Sequence, residues 1–148
     1  NYPDALAAGA LSVREKMPII LANGNDLPGA EDLIKDYNIK KGIIVGGKNS
    51  VGDVSSYFNK LERLGGKDRY ETALILAEDY FAKSEKAYLA SGESFPDALA
   101  IGPVAGMNDG PILLTRKDKL PNEAKDYIER SEINEIKIIG GENTIRGL

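Results

Sequence analysis

Much of this sequence occurs twice. Residues 1–28 can be laid on residues 94–121 without a gap. Tyr2-Pro3-Asp4-Ala5-Leu6-Ala7 stands against Phe95-Pro96-Asp97-Ala98-Leu99-Ala100, and Gly9 against Gly102. Pro18-Ile19-Ile20-Leu21 stands against Pro111-Ile112-Leu113-Leu114, and Leu27-Pro28 against Leu120-Pro121. After one inserted residue the match resumes. Ile34, Ile39 and Ile44 meet Ile128, Ile133 and Ile138, and Gly46-Gly47 with Asn49 meets Gly140-Gly141 with Asn143. Solenoid repeats run about 20–50 residues, so this far longer one is a tandem duplication of a domain-sized unit. The chain holds roughly one and a half periods, and its opening Asn1-Tyr2-Pro3-Asp4 reads as the interior of a longer polypeptide.

Within the unit, apolar runs alternate with helical patterns. Pro3 and Pro96 suit a first helical turn, where a missing N–H costs nothing, and helices are predicted over 3–15 and 96–107. Pro18–Ala22 and Pro111–Thr115 are short and continuously apolar, the mark of strands buried on both faces. Second helices follow at about 29–37 and 122–131, then second strands at 42–45 and 135–139, each ended by a Gly pair. A further helix is expected over 51–61. Asp68 and Glu71 read as a capping box ahead of a helix over 69–82, and 87–90 as another buried strand. Strands alternating with helices imply parallel βαβ units, hence an open, mostly parallel α/β sheet flanked by helices, with ligands expected at the carboxyl ends of the strands.

Composition narrows the chemistry. There is no His, Cys or Trp among the 148 residues. Disulfides, Cys/His zinc sites, thiol redox chemistry and His-dependent triads are therefore excluded. The net charge of −4 argues against a general nucleic-acid binder. No apolar run approaches the ~20 residues of a membrane span. No nucleotide fingerprint is present: Gly47 and Gly52 have Walker spacing, but Asp53 stands where Lys is needed, and no G-x-G-x-x-G follows a predicted strand. No carboxylate pair stands in a setting that would separate two pKa values. No catalytic residues, metal ligands or cofactors are assigned.

Arg63-Leu64-Gly65-Gly66-Lys67-Asp68-Arg69-Tyr70-Glu71-Thr72-Ala73, Ser94-Phe95-Pro96-Asp97-Ala98-Leu99-Ala100, Pro111-Ile112-Leu113-Leu114-Thr115 and Ile138-Ile139-Gly140-Gly141 follow one another in fixed order. In this series the chain resembles the cell-wall-binding type 2 repeat (CWB2) of clostridial and related Gram-positive surface proteins. The resemblance implies a Rossmann-like module, found as three tandem copies packed into a triangular pseudo-trimer. It also implies non-covalent anchoring of surface-layer and wall proteins to an anionic secondary wall polysaccharide, with the Pro-Ile-Leu-Leu segment in the anchoring region. The expected partners are that polymer and neighbouring repeats; the expected location is the cell surface. On the family's phasing, residues 1–62 are the back part of one unit, without its first helix and strand. Residues 63–148 are the front and central part of the next. An alternative is that the two portions share one sheet.

The candidate ligand-binding residues are Lys67, Arg69 and Tyr70, then Pro111, Ile112, Leu113 and Leu114, then Arg116 and Lys117, with Asn49 and Asn143 after the Gly pairs. Arg63 and Lys119 are further cations that an anionic polymer could meet. Each has a plainer reading. Asp68 and Glu71 cap a helix, the apolar strand fills a core, and the Gly pairs end strands tightly. Arg69, a cation at a helix N-terminus, needs a partner, either a protein group or a ligand anion. Two other functions compete: a repeat that chiefly mediates self-assembly, and a small Rossmann-type nucleotide or sugar-phosphate enzyme.

Overall fold

The computed structural model describes residues 4–146. In chain order the elements are α1 (Ala5–Glu15), α2 (Glu31–Asp36), β1 (Lys41–Val45), β2 (Lys60–Leu64), α3 (Arg69–Tyr80), β3 (Lys86–Ser91), α4 (Phe95–Met107), β4 (Ile112–Thr115), α5 (Asn122–Arg130) and β5 (Glu135–Ile139). All strand pairing between named strands is parallel, as the alternation predicts. The strands form two sheets, one ordered β1-β2 and one ordered β4-β3-β5, and β2 runs across the boundary between the two portions, pairing Arg63 and Leu64 with Ile44 and Val45.

In the second sheet β3 and β4 are buried on both faces. Tyr88, Ala90, Ile112 and Leu114 face a core with Leu6, Ala10, Leu11, Leu76 and Phe81, while Ala87, Leu89 and Leu113 face Leu120, Ala124 and Tyr127. That two-sided burial is why β4 and most of β3 are apolar rather than alternating, whereas the edge strand β5 leaves Ile136 and Ile138 exposed. The first sheet packs Ile44 on Leu27, Ala30, Ile34 and Val54.

Helices α1 and α4 join the two portions. They occupy equivalent places in the repeat and cross where each carries glycine: a Cβ on Gly102 would sit 3.1 Å from the Gly9 Cα, a contact tight enough that any larger residue would push the helices apart by a few tenths of an ångström. Pro96 lies in the first turn of α4, as predicted. Pro3, the predicted start of α1, lies outside the described residues.

Two sequence expectations fail. Pro18–Ala22 is not a strand: it forms no ladder, although its repeat counterpart is β4. In the second sheet β4 pairs only with β3, and among the described residues the first portion has no strand equivalent to β3 for Pro18–Ala22 to pair with. The expected helix over 51–61 is absent as well. Asp53 Oδ1 accepts the Ser55 N–H at 2.9 Å, Ser55–Tyr57 makes one 3-10 turn, and Lys60–Leu64 joins β1 as β2. Gly, Asp, Ser and β-branched residues compete poorly for helix, and an open strand edge is a stronger partner.

The Gly pairs are turns of one kind. Gly46 and Gly140 have φ of 129° and 130°, a region closed to other residues. In both copies the equivalent aspartate approaches this turn. A Cβ on Gly46 would lie 3.2 Å from Asp4 Oδ2, and one on Gly140 3.0 Å from Asp97 Oδ2.

Candidate functional site

The loop after β4 and the N-termini of α3 and α5 enclose a groove of about 310 Å³. It lies at the carboxyl end of a parallel strand, where α/β folds receive ligands.

The α3 wall is built by its cap. Asp68 is extended, and its Oδ1 accepts the N–H groups of Tyr70 at 3.0 Å and Glu71 at 2.9 Å. The Glu71 carboxylate accepts the Lys67 N–H at 2.5 Å. The predicted capping box is thus present, with its return bond one residue earlier than the standard pattern. Arg69 finds a protein partner: its Nη1 donates to the Gly92 carbonyl at 2.5 Å, tying the start of α3 to the end of β3. Tyr70 lies against Gly92, where a Cβ would come within 2.7 Å of its ring. The Arg116 guanidinium stacks on the same ring at 4.6 Å. Burial pushes the Tyr70 phenol up and the Arg116 charge draws it back, so it is a neutral donor at physiological pH.

The opposite wall is the loop 116–119. Buried Thr115 places its hydroxyl 2.9 Å from the Arg116 carbonyl and 3.1 Å from that of Lys119, and the Arg116 N–H donates to the Lys119 carbonyl at 3.2 Å. A closed turn therefore projects Arg116 and Lys119 into the groove.

Six charges line the groove: Lys67, Arg116 and Lys119 with Asp68, Glu71 and Glu123. Two of the carboxylates are engaged by backbone N–H groups, and Glu123 lies 3.6 Å from Lys67 Nζ. Among the described residues, neither Arg116 nor Lys119 has a carboxylate within 4.0 Å. The groove therefore offers two cations with no carboxylate in contact, one of them placed over an aromatic ring.

The structure sorts the sequence candidates. It brings together Lys67, Tyr70 and Arg116, and adds Lys119 with Asn122 and Glu123. Arg69 supports the groove from behind. Pro111, Ile112, Leu113 and Leu114 are fully buried, so they position the loop after them. Lys117 turns aside, half-buried, its carbonyl accepting the Arg146 N–H at 2.7 Å. Asn49 and Asn143 are exposed in their turns and do not line the groove. Arg63 braces the first Gly pair: Nη1 donates to the carbonyls of Gly46 at 3.0 Å and Val51 at 2.8 Å, and Nη2 to that of Gly52 at 2.8 Å. Asn122 and Glu123 escaped sequence reasoning because they belong to a separate helix that only the tertiary fold brings to the groove. Among the described residues no His, Cys, Asp or Glu cluster could hold a metal, and no helix is long and apolar enough to cross a membrane.

The profile of cell wall binding domain 2 (CWB2) matches the chain twice, over residues 1–55 and 63–147. The chain belongs to the CWB2 family. It is a cell-wall-binding domain of the kind found in Gram-positive wall proteins. It is 30% identical over 151 aligned residues to N-acetylmuramoyl-L-alanine amidase LytC of Bacillus subtilis, an alignment covering 98% of this chain and 30% of the amidase. It is 34% identical over 126 residues to the amidase enhancer of the same organism, covering 82% of this chain and 18% of that protein. Cwp6 from Clostridium difficile superposes with a TM-score of 0.89 at 31% identity, over 98% of this chain and 24% of Cwp6. Cwp8 from the same organism gives 0.79 at 28% identity, over 97% of this chain and 25% of Cwp8. This CWB2 chain thus spans about a third or less of each of these proteins.

Proposed function

We propose that this CWB2 chain holds a surface protein on the Gram-positive wall without a covalent bond, by binding an anionic secondary wall polysaccharide in the groove between α3 and the β4–α5 loop. The observation that carries this is the Arg116–Tyr70 stack. A guanidinium placed over a ring with no carboxylate in contact keeps N–H donors for a phosphate or carboxylate, and Lys119 adds a second positive charge. In this reading the chain is a binding module rather than an enzyme. Single contacts are weak, and several units on one polymer supply retention.

Neighbouring repeats are the second partner. The face of α1 formed by Leu6, Ala7, Ala10 and Leu11 is buried, while its repeat counterpart on α4, Leu99, Ala100, Pro103 and Val104, is exposed. The two helices therefore meet head to tail, with equivalent glycines at the crossing. A head-to-tail contact whose equivalent residues nearly touch lies close to a rotation axis, and it closes into a ring when that rotation closes. A third unit seated on the free α4 face completes that ring. The two units divide at residues 62 and 63, and the surface layer is the compartment this function serves.

Co-sedimentation with purified Gram-positive walls tests the binding. The chain is expected to pellet with native walls and not with walls stripped of their polymer. Arg116→Ala with Lys119→Ala should weaken binding about fivefold per cation, the value of ~1 kcal/mol for an exposed charge contact. Added salt should weaken it in the same direction. Equal pelleting with stripped walls, or an unchanged double variant, overturns the proposal.

A further inference from the structure

The groove between α3 and the β4–α5 loop is balanced in charge. Lys67, Arg116 and Lys119 line it together with Asp68, Glu71 and Glu123, three of each sign. A site for a plain polyanion gains nothing from carboxylates on its lining, because like charges repel. The three carboxylates do not share one role. Asp68 Oδ1 accepts two N–H groups of α3, and Glu71 accepts that of Lys67, so both serve the start of that helix. Glu123 does not. Among the described residues its carboxylate has one charged partner, Lys67 Nζ at 3.6 Å, which is longer than a hydrogen bond.

That pair is open to water, with side chains 66% and 63% exposed. An ion pair in such a setting is worth little, so another ammonium can take the place of Lys67 Nζ at small cost. Glu123 keeps a favourable place without the lysine, because a carboxylate in the first turn of α5 suits the helix dipole.

The duplication supplies an independent observation. Both copies keep the Leu-Pro step at 27–28 and 120–121. Around it, Arg116 and Lys119 stand where the first copy has Asn23 and Asp26, and Glu123 stands where it has Gly29 or Ala30. Two cations and one carboxylate therefore occur together in a single copy. The turn itself does not need the carboxylate, since the Thr115 hydroxyl and the Arg116–Lys119 backbone bond close it.

We propose that Glu123 makes this groove select an anionic glycopolymer that also carries free amines. The anionic group sits on Arg116 and Lys119, and a neighbouring ammonium of the polymer takes the place of Lys67 Nζ on Glu123. This rests on the reading of the groove given above and narrows its ligand to a polymer of mixed charge.

Titration of the full chain with two phosphodiesters, followed by nuclear magnetic resonance at the amides of Tyr70, Arg116 and Glu123, tests this. Glycerophosphoethanolamine carries an amine; glycerophosphoglycerol does not. The unchanged chain should bind the first about threefold more tightly, the size expected of one exposed charge contact. Glu123→Gln should abolish the preference, weakening the first probe and strengthening the second. Lys67→Gln should widen it by releasing Glu123. Glu129→Gln, on α5 but outside the groove lining, should leave it unchanged. Equal affinity of the unchanged chain for the two probes overturns the proposal. So does a preference that survives Glu123→Gln, one lost equally in Glu129→Gln, or no shift at the groove with either probe. Wall co-sedimentation of the Arg116 and Lys119 variant decides the anion site separately. Wall binding that needs those cations, with no preference for the amine probe, keeps that reading and removes this one.

Discussion

Arg63 shows how a side chain that looks like a ligand cation can be structural. Its guanidinium reaches three backbone carbonyls around the Gly46–Gly47 turn, which no side chain of that loop satisfies. Each bond is charge-assisted, and the planar fork is what allows one side chain to serve three acceptors. Arg63→Ala should cost about 2–3 kcal/mol in urea unfolding. Arg63→Lys should recover less than half of that, because an ammonium is a point donor. Full rescue by lysine would mean the clamp geometry is unimportant. Neither change should alter wall binding per folded molecule, since Arg63 does not line the groove.

At the scale of elements, α3 carries the clearest link from local sequence to site. Asp68 satisfies two of the N–H groups that a helix start leaves open, and in doing so fixes where Tyr70 stands. Asp68→Ala should destabilise the chain by ~1 kcal/mol and also weaken wall binding, whereas Asp68→Ser should restore most of both. Calorimetry beside co-sedimentation separates the two effects. If stability falls and binding does not, the cap is not what positions Tyr70. This element was legible in the residues because a cap is a local device, complete within four positions. Pro18–Ala22 was not. Its apolar run specifies a strand only where a neighbouring strand offers N–H and C=O groups, and that neighbour is no local property. Residues 51–61 failed for the converse reason. A segment of weak helix propensity met an open edge on β1 and became β2 in part.

For the whole molecule, the decisive fact is that duplicated helices use different faces. Leu6 and Leu99 hold the same place in the repeat, yet Leu6 is 2% exposed and Leu99 52%. Leu6→Ala should cost ~2–5 kcal/mol, the range for a buried leucine, while Leu99→Ala should stay within ~0.5 kcal/mol. Parallel denaturant titrations check this, and equal costs would show that the two helices are packed alike in solution. The exposed α4 face gives Leu99→Glu a second use. Light scattering should show concentration-dependent association of the unchanged chain through this face and less of it in the variant.

The sequence by itself determined the duplication, the alternation of strand and helix, the parallel two-faced sheet around β3, the α3 cap and the Gly turns at 46 and 140. Each of these is settled by residues near one another in the chain: a periodicity, a cap, a turn that only glycine can make. Tertiary structure decided which copy of each repeated segment is buried. It decided that Arg63 and Arg69 serve the fold while Arg116 and Lys119 keep their charge free of carboxylate contacts, and that Asn122 and Glu123 complete the groove. The physical reason is that burial and ion pairing depend on what stands opposite. Two copies of the same local sequence therefore meet different surroundings and take different roles.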